Sequence, residues 1–264
     1  MKDQCIWCGN SSIGKQSIEH IVPKAIGCPD GFVLKNGEVC KNCNNGMGHL
    51  DQALIGDFEI PALIAGVPRG NDKGPRVHSY GNTFAHQSAQ GTELFINMDA
   101  KAIVLKNGFE LGGFKGRERD LKWKLSVNGN EVKATGQFYF GKSPKVARSL
   151  YKIGLSWVAY SLGSNVARTL IQSSIGSFVK KGYPVRPVFL YSIDDPNRYR
   201  HEFSGHITKD GKLVATSFVL AGCAKFVIDL TDDLSFSDVF YRASISMLGT
   251  ESWTKLPPTW IPKA

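Results

Sequence analysis

Long apolar runs are missing from this chain. No stretch approaches the roughly 20 residues needed to cross a bilayer, and no N-terminal apolar stretch resembles a secretion signal. The expectation is a cytoplasmic protein with no membrane partner. Cysteine is scarce, at 6 in 264 residues. Without a secretion signal, so few cysteines in so long a chain imply a reducing compartment and argue against disulfides. No internal repeat or low-complexity tract occurs, which excludes solenoids and collagen-like arrays. Acidic residues are the minority charge, 23 Asp and Glu against 32 Lys and Arg, for a formal net charge of +9. That surplus suits a polyanionic partner. With 42% hydrophobic and 21% charged residues, the remaining composition is that of a folded globular chain.

Four of the six cysteines fall in two CxxC pairs, Cys5-Ile6-Trp7-Cys8 and Cys40-Lys41-Asn42-Cys43. Two such pairs about thirty residues apart can close one tetrahedral Cys₄ zinc site. Gly9 and Gly46 leave flexible backbone beside each pair. A Cys₄ site has no open coordination position, so its zinc would be structural. Cys28 and Cys223 are left over and read as small core residues.

Between the pairs lies Ser17-Ile18-Glu19-His20-Ile21-Val22-Pro23, and directly after them come Asn44 and Asn45. The first segment reads as a short strand ended by Pro23. Successive strand residues face opposite ways. Glu19 and His20 therefore need a bulge to converge, or they serve two sides of one site. A carboxylate, a histidine and carboxamides suit a hydrolytic metal site: a neutral imidazole is a base near pH 7, and a sparsely ligated divalent ion leaves room for phosphate and water.

Together these residues resemble the HNH endonuclease family, the zinc-stapled branch of the ββα-metal (His-Me finger) nucleases. The resemblance spans residues 5–51 and rests on Glu19-His20-Ile21-Val22-Pro23 and Cys40-Lys41-Asn42-Cys43-Asn44. It implies His20 as general base. It implies Glu19 and Asn44 as ligands of a catalytic Mg²⁺ or Mn²⁺. Asn36 is the nearest candidate to orient His20, although Asn36-Gly37 also reads as a tight turn. His49 reads as a surface or supporting residue, and Asp51 as a local cap or partner.

The expected organisation is a nuclease module at 1–55, a linker or long loop at 56–91, and an α+β body at 92–264. The linker is rich in Gly, Pro and Asn, with the boundary placed near 52–60. In the body, Leu121–Val127 and Glu131–Phe140 flank a turn, and a second hairpin joins Gly205–Thr208 to Leu213–Leu220. Leu94–Met98, Ala102–Leu105, Lys225–Leu230 and Val239–Tyr241 are further strand candidates. Ser143-Pro144 opens a helix with a core stripe at Val146, Leu150, Ile153, Trp157 and Tyr160. A second helix is expected from about Asn165 to Phe178. The fold class is α+β with mainly antiparallel sheet.

Lys145, Arg148 and Lys152 share another face of the first helix, and Arg69, Lys73 and Arg76 lie in the expected linker. Both groups are candidate phosphate contacts. The function implied is a metal-dependent endonuclease acting on double-stranded DNA, in a setting such as host defence or restriction. Two alternatives remain at this level: a non-catalytic zinc module for nucleic-acid or protein contact, and a nuclease switched by a small ligand bound to the body. The sequence leaves the oligomeric state open, a homodimer included.

Overall fold

The structure is a computed structural model. It describes residues 4–11, 17–35, 37–64, 67, 143–192, 201–222, 224–238 and 254–255, and the backbone of seven strands between 77 and 137. The expected strand at 239–241 and Cys223 lie outside the described residues.

The chain divides into two compact units, one made of Met1–Gly70 and Gly141–Ala264, the other of Asn71–Phe140. The second unit is therefore an insertion. It contains β3 (Val77–Tyr80), β4 (Thr83–Ser88) and β5 (Gly91–Ile96) in one antiparallel sheet. Two further antiparallel pairs are β6 (Ala102–Val104) with β7 (Glu110–Gly112) and β8 (Lys122–Asn128) with β9 (Glu131–Gln137). The last pair is the hairpin expected around Asn128-Gly129.

The first unit begins with β1 (Glu19–His20), which pairs antiparallel with β2 (Val33–Leu34). A single 3₁₀ turn at Lys24–Ile26 lies between them. Helix α1 then runs Lys41–Ile64. The boundary expected near 52–60 thus falls inside a helix, and the segment expected as linker holds its end plus β3 and β4. The reason is burial. Leu50, Leu54, Phe58 and Ala62, spaced four apart, are all sequestered, and that stripe outweighs the helix cost of Gly46, Gly48, Gly56 and Pro61.

Helix α2 (Pro144–Leu162) starts at the expected cap, with the Ser143 hydroxyl accepting from the Lys145 amide. Of its expected core stripe, Val146, Leu150, Ile153 and Trp157 are buried, whereas Tyr160 is 43% exposed. The single helix expected over 165–178 is two, α3 (Ser164–Gln172) and α4 (Ser174–Lys181). Ser173 breaks it: its backbone is extended and its hydroxyl caps α4 through the Ile175 amide. Hydroxyl side chains compete in this way with helix continuation.

The remaining strands, β10 (Val188–Ser192), β11 (Glu202–Ile207), β12 (Leu213–Leu220), β13 (Ala224–Asp229) and β14 (Thr254–Lys255), form one antiparallel sheet in the order β10-β13-β12-β11-β14. β12 is buried along almost its whole length, as befits a central strand. Aromatic rings join this sheet to the helices. Phe203 stacks on Trp157 at 6.0 Å and on Phe218 at 5.3 Å, and Phe226 meets Phe218 at 5.8 Å and Phe58 of α1 at 6.0 Å. Phe32, just before β2, reaches the same cluster 5.3 Å from Phe203. The chain is thus α+β with helices and antiparallel sheets, and among the described residues no helix is long and apolar enough to cross a membrane.

Candidate metal centre

The thiol sulfurs of Cys5, Cys8, Cys40 and Cys43 lie within 4.8 Å of one another. Sulfurs at the corners of a tetrahedron with 2.3 Å zinc bonds are about 3.8 Å apart, and Cys8 and Cys40 are already 3.9 Å apart. The backbone makes this convergence. The Gly9 amide donates to the Cys5 carbonyl at 2.9 Å, closing the first knuckle, and Gly9 takes a positive φ of 73° that only glycine adopts cheaply. The Ile6 amide donates to the Glu38 carbonyl at 2.8 Å and the Cys40 amide to the Cys5 sulfur at 3.3 Å. These two bonds hold one knuckle against the other. Four cysteines so arranged can hold a metal such as zinc.

The thiols also titrate as a crowded set. Burial pushes Cys5 up, and burial with the neighbouring thiols pushes Cys43 far up. At Cys40 burial also pushes up, but hydrogen bonds from Cys43, Cys5 and Cys8 outweigh it and bring its pKa down. A cation replacing the protons relieves this crowding. Cys28 stands apart, donating to the Phe32 carbonyl at 3.3 Å, with its thiol pushed up to about 11 by burial.

β1 is regular, with Glu19 opposite Leu34 and His20 opposite Val33. No bulge is needed, and the two side chains face opposite ways: Glu19 is 2% exposed, while His20 is half-buried. Burial, then the positive charges of Lys24 and Lys152, hold the His20 imidazole below its ordinary pKa, against the pull of Asp51. It is therefore neutral near pH 7, as a base requires.

Asn44 sits in the first turn of α1. Its side-chain amide donates to the Ile18 carbonyl at 3.0 Å and to the Ser17 hydroxyl at 3.3 Å. Ser17 in turn donates to the Val39 carbonyl at 2.9 Å. Asn44 thus ties the helix that follows the second CxxC to the residue just before Glu19-His20. His49 is exposed and bonds locally, its Nδ1 2.9 Å from the Gly46 carbonyl. Asn36, Arg69, Lys73 and Arg76 lie outside the described residues.

The largest departure from expectation is Lys152. It is not on a DNA-facing surface: it is 3% exposed, with its ammonium 2.6 Å from Glu19 and 2.8 Å from Asp51. Asp51 is correspondingly a long-range partner and not a local cap. Burial pushes the Glu19 carboxyl up against the pull of Lys152. At Lys152 burial pulls the other way, and the two carboxylates outweigh it to keep the ammonium charged. Arg148 is also engaged, donating to the Val179 carbonyl at 2.9 Å and the Lys180 carbonyl at 2.7 Å. Of the three, only Lys145 is solvent-exposed. The signal overlooked was the company Lys152 keeps, since every residue from Ser149 to Ala159 is buried. A lysine inside such a run requires acidic partners.

The donor sets can be tested against the two metals. Four convergent thiols fit zinc. Glu19 does not fit an open divalent site, because its carboxylate is sequestered from solvent and occupied by an ammonium. Comparison with family models, curated proteins and solved structures gives no match for this chain.

Proposed function

We propose that this chain is a zinc-stapled endonuclease hydrolysing phosphodiester bonds in DNA, with His20 as the base that accepts a proton from the attacking water. The observation that carries this reading is the tie between Asn44 and Ile18. It hangs the Glu19-His20 strand on the helix that follows the second CxxC, in the order strand, antiparallel strand, helix that the resemblance to HNH nucleases implies. A neutral, half-buried His20 supports the assignment, and the net charge of +9 favours a polyanionic substrate. Zinc in the thiol cluster would hold the short strands against α1, a task for which so small a segment has too little apolar area. No catalytic step is assigned to a metal at Glu19, since Lys152 already neutralises that carboxylate.

The test is nicking of supercoiled plasmid by the wild type and by His20→Ala, without added metal and with Mg²⁺ or Mn²⁺. Loss of a general base lowers the rate on the order of 10²–10⁴-fold. His20→Ala is expected to lose nicking to that extent while keeping its zinc and its DNA affinity. Wild-type nicking by the variant removes His20 from the mechanism.

A second reading has an observation of its own. The buried Glu19–Lys152–Asp51 set has the character of a structural clamp between the zinc segment and α2. It favours a non-catalytic zinc module that contacts nucleic acid or protein. Absence of nicking under every metal condition, with DNA binding retained, supports that reading instead.

A further inference from the structure

The four clustered thiols are not equally sheltered. Cys5 is 0% exposed and Cys40 6%, and Cys43 is half-buried, whereas Cys8 is open to solvent. The Cys5 sulfur also accepts the Cys40 amide at 3.3 Å, and such a bond draws off part of a thiolate's charge. A bound metal keeps all four sulfurs as thiolates. Exposure then decides which of them an oxidant reaches first, and it singles out Cys8.

The second observation is a partner within reach. The Cys40 sulfur lies 3.9 Å from that of Cys8, although the two are 32 residues apart in the chain. A Cys8 sulfur that has been oxidised therefore meets a second thiolate at once. Cys40 directly precedes α1 and Cys43 lies in its first turn, as does Asn44, which carries the tie to Ile18. Whatever releases the second knuckle also loosens the support of the strand that bears Glu19 and His20.

We propose that the thiol cluster is a redox switch, in which a peroxide oxidises Cys8, Cys40 resolves the product as a disulfide, and the bound zinc is set free. In the first step the Cys8 thiolate attacks one peroxide oxygen. An S–O bond forms, the O–O bond breaks, and the departing hydroxide takes a proton to become water. In the second step the Cys40 thiolate attacks the Cys8 sulfur. An S–S bond forms, the S–O bond breaks, and a second hydroxide is protonated to water. The two sulfurs together lose two electrons and the peroxide gains them. Only Cys5 and Cys43 then remain as ligands, too few for a closed tetrahedral site. The disulfide keeps the two knuckles together, so reduction in the presence of zinc restores the site. The oxidation requires only the zinc-loaded thiols; its effect on cleavage, through the strand of His20, rests on the reading given above.

The experiment treats the full-length zinc-loaded protein with hydrogen peroxide. Released zinc is followed with a chromogenic chelator, and the cysteines are located by peptide mass spectrometry after trapping with N-ethylmaleimide. The expected result is loss of about one zinc per chain together with a linked Cys8–Cys40 peptide, both reversed by a thiol reductant and zinc. Cys8→His retains four ligands as a Cys₃His set and should slow the release on the order of tenfold, because the exposed thiolate is gone. Cys43→His, changed at a half-buried corner, should release zinc as the wild type does. Zinc retained under peroxide overturns the proposal, as does a linkage that omits Cys8, or equal rates in the two variants. Should either variant fail to load zinc, brief alkylation of the wild type decides. Cys8 labelled first among the four upholds the assignment, and any other of them labelled first overturns it. Nicking is not read, so the result stands whichever way the cleavage reading falls.

Discussion

The thiol-bearing segment and the aromatic centre belong to one compact unit yet cohere by different means. Among the described residues between 17 and 40 the regular structure amounts to two strands of two residues and one 3₁₀ turn. That segment is held by individual links: four convergent sulfurs, the Asn44 tie to Ile18, and the ion pairs of Lys152. The centre is held by area. Trp157, Phe203, Phe218, Phe226 and Phe58 are all nearly inaccessible and pack ring on ring. Links are all-or-none, because removing one partner strands the other. Apolar packing degrades by increments, in proportion to the area or volume lost. The first region should therefore fail at single atoms, and the second should yield gradually.

The largest expected effect is at the sulfurs. In small zinc modules the metal contributes apparent folding free energies of about 10–16 kcal/mol. Cys40→Ser should abolish zinc binding and unfold the segment around β1, while the sheet persists. Hydrogen exchange resolved by region checks this. Equal loss of protection in β12 and β1 would break the comparison, since it makes the two regions one cooperative unit.

Next is the ammonium. Removing one partner of a buried ion pair costs about 3–5 kcal/mol, so Lys152→Met should destabilise by that amount. Glu19→Gln added to it should recover part of the loss, because the stranded carboxylate is gone. Chemical denaturation of the two single variants and the double variant measures the coupling. A cost below about 1 kcal/mol would place the set with ordinary surface pairs.

A third effect depends on pH. His201 is fully buried, its Nε2 3.2 Å from the carbonyls of Ile26 and Gly27, and its Nδ1 accepts from the Ala221 amide at 3.2 Å. It pins the 3₁₀ turn to the sheet. Burial lowers its pKa from 6.5 to about 4. A base whose folded pKa is depressed stays neutral in the fold while the unfolded chain takes up the proton. Its contribution is thus complete above pH 6.5 and is lost as pH falls toward 4. The full loss is about 3 kcal/mol. Comparing unfolding free energies at pH 7 and pH 4.5, wild type beside His201→Gln, isolates this contribution from that of the carboxylates. A wild-type pH slope equal to the variant's removes it.

The smallest effect tests the packed centre. A Cβ at Gly154 would lie 2.4 Å from Ile228 Cδ1 and 2.9 Å from Thr216 Oγ1. Overpacking costs about 1–3 kcal/mol, and the better helix propensity of alanine returns about 1 kcal/mol. Gly154→Ala should therefore destabilise by about 1 kcal/mol, read as a modest drop in the denaturation midpoint. A stabilised variant would show that α2 and β13 fit more loosely than their burial implies.

Much of the thiol cluster was legible because its signal is local. Two CxxC pairs mark a metal site by spacing alone, whereas alternation along a strand left a bulge open and only the regular register of β1 separates Glu19 from His20. The hairpins at Asn128-Gly129 and Asp210-Gly211 were legible for the same reason, since turn chemistry acts over four residues. Helix α1 was not. Its glycines and Pro61 speak locally for a loop, and only the partners of Leu50, Leu54 and Phe58 explain why the helix continues. The break at Ser173 was hidden too, because serine tolerates a helix and a cap alike.

Sequence by itself determined which four thiols can hold a metal such as zinc, where the hairpins turn, that the class is α+β, and that the chain carries surplus positive charge. Those properties follow from residue type and short spacing. Tertiary structure decided which charges reach water. Lys152 lies 101 residues from Asp51 and 133 from Glu19, and nothing within a helical turn of it announces either partner. A charge becomes a surface contact or a buried clamp according to what packs over it, and long-range packing is a property of the folded chain alone.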